Sequence, residues 1–200
     1  MANELTNELT NIQLVLNYVK TTLWITWTTE DQVLTNYIQG IVAMIKQMTW
    51  IDVLATSDPK TELYDGAWQR ELFLKWKPIK TITSISENTN QRGTPNWKAM
   101  DVNSYVSRES WEIDFHYWLS RGFQNIKVVY SVMNTSELLA DYNFADLFLA
   151  IAMLAWNIRA NQQTTWIASE SVSGTTITFA KQAITNEIQT LLNKFITIAI

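Results

Sequence analysis

The stretch from Trp111 to Val132, WEIDFHYWLSRGFQNIKVVYSV, decides how the chain is read. Trp111, Ile113, Phe115, Tyr117 and Leu119 fall on one face of an extended chain, with Glu112, Asp114, His116 and Ser120 on the other. Alternation of this kind is the mark of a half-buried strand. Ser120-Arg121-Gly122 reads as a turn, after which Ile126, Val128, Tyr130 and Val132 alternate again. The two runs predict a long antiparallel hairpin.

Upstream, Leu72, Leu74 and Trp76 alternate with Glu71, Phe73 and Lys75, Pro78 interrupts, and Ile79–Ser86 reads as a further strand. Glu87–Asn96 contains Asn, Gly and Pro and reads as a loop. Strands are therefore expected over about 64–132.

The period changes on either side. Leu5, Leu9, Ile12, Leu16, Val19 and Leu23 recur every three or four residues, as do Leu34, Ile38, Ile41, Ile45 and Met48. Each set lays one apolar stripe along a helix. Thr29 with Gln32 has the form of a capping box. Gly40 inside the second helix costs about 1 kcal/mol relative to Ala, which a close approach of another helix would explain. The second helix is expected to stop by Ser57-Asp58-Pro59.

A third helix is expected from about Ser136 to Ala160, capped by Ser136 or Thr135. It is apolar on most sides between Phe144 and Ile158, so it should be central. Ile184, Ile188, Leu191, Phe195 and Ile198 mark a last helix. The fold class is α+β: mainly a helical bundle of about four helices, with a central antiparallel β-hairpin or small sheet. One domain over 1–200 is expected, with helices at about 4–56, strands at 64–132 and helices at 136–200; the length suits one core.

Composition excludes several chemistries. The chain has 200 residues, no cysteine and one histidine, so disulfides, thiolate metal sites and His-rich metal sites are out. The longest apolar run, Leu147–Trp156, is about half of what spans a bilayer. No basic n-region of a signal peptide is visible near Glu4 and Glu8. No phosphate loop, zincin motif, nucleophile elbow or EF-hand loop is present. His116 reads as a solvated or interface histidine, and the Glu112–Asp114 pair as the polar face of a sheet. Carboxylates two apart on one strand do not straddle a substrate. No catalytic residue, cofactor or metal ligand is assigned.

Charge is uneven although the net value is only -4. Arg70, Lys75, Lys77, Lys80, Arg92 and Lys98 outnumber Glu71 and Glu87 across 70–98, whereas the first 59 residues are acidic. Opposite local charges suit head-to-tail packing of copies, and they also suit ordinary solvated surface. The ten tryptophans leave three roles open: core, subunit interface, or a platform for a sugar or peptide. Trp118 is the foremost interface candidate because it falls on the polar face of its strand. Trp111, Lys75, Lys77, Lys80, Phe195, Ile198 and Ile200 join it; the apolar ending Phe195–Ile200 is expected to be buried internally or against a neighbour.

These residues resemble the head-tail connector (head-completion or adaptor) family of long-tailed phages. The resemblance runs through the helices of Ile12–Met48, Tyr64-Asp65-Gly66, Leu72-Phe73-Leu74 and the Pro78–Ile85 run. It continues through Gly122–Tyr130, Asp146-Leu147 and Ser169–Gly174. The chain departs by lacking a proline before the third helix and by a longer loop, Glu87–Asp101. The resemblance implies a non-enzymatic virion protein made in the host cytoplasm. It implies a ring, typically twelvefold, between the portal protein and the next neck or tail protein. Such a ring completes the head after genome packaging and extends a channel through which DNA passes without sequence-specific contact. No membrane is implied. An aromatic-rich module binding a sugar or peptide is the alternative.

Overall fold

The computed structural model of the chain describes residues 2–56, 58–90, 93–108, 111–164 and 184–196. The chain divides into two compact units, Met1–Ala55 with Asn134–Ile200, and Thr56–Met133. Helices and antiparallel sheets both occur, as the α+β class requires.

The first unit is helical: α1 (Ala2–Thr22), α2 (Asp31–Thr49), α3 (Thr135–Ala140), α4 (Ala145–Thr164) and α5 (Asn186–Asn193) among the described residues. The central parts of the sequence stripes face inward, whereas Leu9, expected on the α1 stripe, is 67% exposed, and Leu23 and Met48 are half-buried. Ile12, Val15, Leu16 and Val19 of α1 and Leu34, Ile38, Ile41 and Ile45 of α2 are all buried. Leu147, Phe148, Ile151 and Leu154 of α4 meet them, and α4 packs against α1, α2 and α5. That triple contact is why α4 is apolar on most sides. Burying each such side chain is worth about 1.5–3 kcal/mol. No helix among the described residues is long and apolar enough to cross a membrane.

Three local expectations are corrected. The helix expected over 136–160 is two helices. Asp141 closes α3 with its N–H on the Glu137 carbonyl, then accepts from the Asn143 N–H to open a 3-10 turn leading into α4. The cap is Asn134 rather than Thr135 or Ser136. It forms a reciprocal capping box with Glu137, at 3.0 Å in each direction. That frees Thr135, whose buried hydroxyl donates to the Val53 carbonyl at 2.8 Å. At the start of α2 no side chain caps the helix. Its first charges are instead used in ion pairs, Asp31 with Lys20 and Glu30 with Arg159, both at 2.6 Å.

Among the described residues the second unit holds seven strands: β1 (Lys60–Gly66), β2 (Glu71–Phe73), β3 (Ile79–Asn88), β4 (Trp97–Ala99), β5 (Tyr105–Arg108), β6 (Glu112–Phe115) and β7 (Gly122–Val132). They form a four-stranded sheet in the order β1-β7-β3-β4 and a three-stranded sheet in the order β2-β6-β5. The hairpin expected from Trp111 to Val132 does not form, because β6 and β7 lie in different sheets. The chain leaves β6 after Phe115 and hooks onto the preceding loop. The Phe115 and Leu119 N–H groups donate to the carbonyls of Arg70 and Gln69. The alternation holds in part: Ile113, Phe115, Leu119, Ile126, Val128 and Tyr130 are fully buried, but Tyr117, expected on the same face and lying past the end of β6, is 41% exposed and Trp111 is half-buried. Alternation specifies the buried face of a strand, not its neighbour.

Gly40 is exposed, and a Cβ added there meets nothing within 4 Å, so no element of the described chain accounts for it. Gly40→Ala is expected to raise stability by about 1 kcal/mol through helix propensity alone, read as a higher urea midpoint with an unchanged slope.

Candidate assembly interface

The β unit carries a rigid loop platform built around one buried amide. Asn125, fully buried in β7, accepts from the Gly66 N–H at 2.7 Å and donates to the Ser120 carbonyl at 2.9 Å. A Cβ on Gly66 would lie 1.8 Å from the Ser120 oxygen, so only glycine lets the end of β1 meet this segment. The Asp65 carboxylate accepts from the Gln124 N–H at 2.7 Å, and the Arg70 Nε donates to the Phe115 carbonyl at 3.0 Å. Segments 65–70 and 115–125 are thereby tied at several points.

On this frame four large aromatics stand in solvent: Trp68 at 64% exposed, Trp118 at 62%, Phe123 at 81% and Phe73 at 46%. Trp68 is a ridge between two shallow clefts. One, of about 640 Å³, is lined by Tyr64, Arg70, Phe73 and Trp118; the other, of about 580 Å³, by Gly66, Arg121 and Phe123. Trp68 has φ 55° and Gln124 φ 45°, the left-handed region that bulky L-residues avoid. Strain of this kind persists where surrounding structure enforces it, and it clusters at functional positions. A solvent-exposed aromatic cluster held without freedom to collapse is the form of a binding anchor.

The residues singled out from the sequence do not form one site. Trp118 lies in the platform, on a loop rather than a strand. Trp111 is half-buried, its ring 4.7 Å from that of Phe73, with the Lys77 ammonium 5.6 Å from its centroid. Lys77 is only 7% exposed, and burial holds its pKa below the usual lysine value. Lys75 and Lys80 are exposed. The Lys75 N–H donates to the Tyr64 hydroxyl at 3.0 Å and its ammonium sits 5.2 Å from the Trp76 ring. Tyr64 and Tyr130 both donate to Glu62; burial first, and then that carboxylate, raise the pKa of both hydroxyls. Phe195, in the helical unit, stacks on Phe144 at 5.9 Å. Ile198 and Ile200 lie outside the described residues.

The sequence reading missed Trp68, Phe73 and Phe123. Trp68 and Phe123 each follow a glycine within two residues, in Gly66-Ala67-Trp68 and Gly122-Phe123. A bulky aromatic in or directly beside a glycine-marked turn, where a small polar residue is the norm, was the available signal. His116 is exposed, with its backbone N–H on the Ser104 carbonyl, and Asp114 is paired with Arg108 at 2.6 Å. Among the described residues no group of three or more His, Asp or Glu side chains is placed to hold a metal.

Comparison with known proteins gives a consistent pattern. A family model described as head completion protein matches residues 13–197. The fold is similar to a chain in the neck of an empty GTA particle computed with C6 symmetry, with TM-score 0.56 and 14% identity over 92% of this chain and 90% of that one. It is similar to a chain in the virion of a native gene transfer agent particle, with TM-score 0.53 and 14% identity over 87% and 81%. A chain in the neck of the native particle computed with C12 symmetry gives TM-score 0.51 and 13% identity over 84% of each chain. No curated protein matches the chain.

Lys77→Glu places a carboxylate where an ammonium is already desolvated, and is expected to cost about 3 kcal/mol or more. Lys80→Glu, on the exposed side of β3, should change stability by no more than about 0.5 kcal/mol. Paired denaturation curves check both. Asn125→Ala leaves the Gly66 N–H and Ser120 carbonyl without their partner and should cost about 1–3 kcal/mol.

Proposed function

The chain belongs to the head completion protein family, and from that premise we propose that it is a structural protein of the virion neck with no catalytic role. Copies form a ring, twelvefold, between the portal protein and the next neck or tail protein. The ring completes the head and extends the channel through which DNA passes. The two units work together as one connector domain. The observation that carries this reading is the family match over 13–197, and the rigid aromatic platform supplies a surface for assembly.

Trp118 is the centre of the interface, and exposed Lys75 and Lys80 contribute from outside the platform. Trp111 and Lys77 act by holding the β2–β3 connection. Phe195, with Ile198 and Ile200, contributes from the helical unit. A net charge of -4 suits a channel that DNA must traverse, since each phosphate neutralised by a cation adds salt-sensitive affinity.

Particle imaging of the purified chain, alone and mixed with portal protein, is expected to show rings in at least the mixture. Single particles in both samples would remove the ring. Trp118→Ala should weaken ring formation while leaving the monomer's melting transition in place, because the side chain is 62% exposed. Binding of a soluble oligosaccharide or peptide that Trp118→Ala abolishes, without ring formation, would favour a binding module instead.

A further inference from the structure

The ring reading requires a surface unlike the aromatic platform for it to meet. Closed rings of more than two copies use heterologous contacts, in which two different faces of the same chain come together. The chemistry of the platform says what that second face must lack. Indole and phenyl rings pressed against a carboxylate leave it desolvated and unpaired, at a cost of several kcal/mol, whereas a cation over the ring face is attracted.

The outer face of α2 meets that requirement. From Gln32 to Trp50 every exposed residue is uncharged, including Val33, Asn36, Ala43 and Gln47. Exposed faces of surface helices ordinarily carry charged and polar residues. The charges that α2 does carry are at its ends and held in ion pairs: Asp31 with Lys20 and the capping Glu30 with Arg159 at the start, and Lys46, one turn past Ala43 with its side chain 38% exposed, with Asp52. In the middle of the face, Gly40 and Ala43 lie one turn apart. A Cβ at Gly40 would meet nothing within 4 Å, so bare backbone with open space beside it is available to a ring. At the C-terminal end Trp50, the left-handed cap of α2 with its N–H on the Lys46 carbonyl, stands 45% exposed.

Net charge adds a long-range bias. The residues of the helical unit include five basic and ten acidic ones, net -5; those of the β unit include ten basic and nine acidic ones, net +1. Exposed Arg70 and Arg121, which line the two clefts of the platform, would approach an acidic unit. Such rim charges steer association and set its salt dependence.

We propose that the platform of Trp68, Trp118 and Phe123 on one copy seats on the outer face of α2 of the next copy, with an indole over Gly40 and Ala43. This rests on the ring reading and names the two faces that make the ring. It also supplies the close neighbour that Gly40 lacks among the described residues.

The chain has no cysteine of its own, so introduced thiols report only on the chosen pair. Ala67→Cys, beside the ridge, and Gln39→Cys, beside Gly40, are made as separate proteins and treated with a short bis-maleimide. The mixture is expected to give a cross-linked dimer that neither protein gives alone, and a chain carrying both cysteines should give a ladder of multimers. Ala43→Glu should weaken assembly at least tenfold, read by sedimentation, with an unchanged melting transition. Rings without the mixed cross-link, or self-linking of either single variant, would overturn this pairing of faces and leave the ring standing. Normal assembly of Ala43→Glu would do the same. A chain that neither sediments as an oligomer nor forms rings with portal protein would overturn the ring reading itself.

Discussion

Asn125 is a neutral amide with no access to water, and a buried amide must find its partners inside the protein or cost about 1–3 kcal/mol for each group left over. Its carbonyl takes the Gly66 N–H and its amino group takes the Ser120 carbonyl. These two bonds hold the end of β1 against the segment that leads into β7. Gly66 is the matching constraint, because any side chain there would occupy the place of the Ser120 oxygen. Together they convert two connecting segments, the parts of a protein that ordinarily move most, into a fixed platform. An exposed aromatic on a mobile loop loses rotamer and backbone freedom when it binds; one already held loses little.

The same economy of freedom shows in the backbone. Three of the four described non-glycine residues with positive φ are tryptophans: Trp24, Trp50 and Trp68. All three are exposed, Trp24 by 88%. Left-handed geometry costs an ordinary L-residue about 1–2 kcal/mol; at Trp24 and Trp50 the backbone N–H closes the end of a helix on the Thr21 and Lys46 carbonyls. Surfaces selected only for solubility would place Asn or Gly at such turns. Arg159 gives the contrasting case. Its guanidinium lies 5.3 Å from the Trp27 ring and 5.5 Å from the Trp156 ring, and it is paired with Glu30. There the aromatics are satisfied internally, joining the α1–α2 connection to α4.

Several elements were legible before any coordinates. The middles of the α1 and α2 stripes, Ile12 to Val19 and Leu34 to Ile45, are buried where their spacing places them, because a helix core depends on a repeat near 3.6 residues, while Leu9 beyond them is exposed. The centrality of α4 followed from its lack of a polar face. The alternation of Ile126 to Val132 marked β7, since strand burial depends on a repeat of 2. Caps were less legible. Thr29 and Gln32 have the right spacing for a capping box, but Glu30 and Asp31 are engaged by Arg159 and Lys20, and such long-range pairing has no local signature. The basic stretch puts Lys77 with Lys75 and Lys80 among the interface candidates, whereas the structure buries it against Trp111.

By itself the sequence determined the α+β class, the buried face of most helices and strands, and the resemblance to head-completion proteins. Each of these depends on local period or on an ordered series of short motifs. Only tertiary structure decided that β6 turns to β2 and β5 instead of β7, and that Trp68, Phe73 and Phe123 join Trp118 in the open. The physical reason is the same for both. A strand's alternation states which side is covered but not by what, and an aromatic residue is equally suited to a core and to a surface that another molecule covers. Which of the two it becomes is set by residues distant in sequence, here Gly66 and Asn125, whose meeting no local pattern announces.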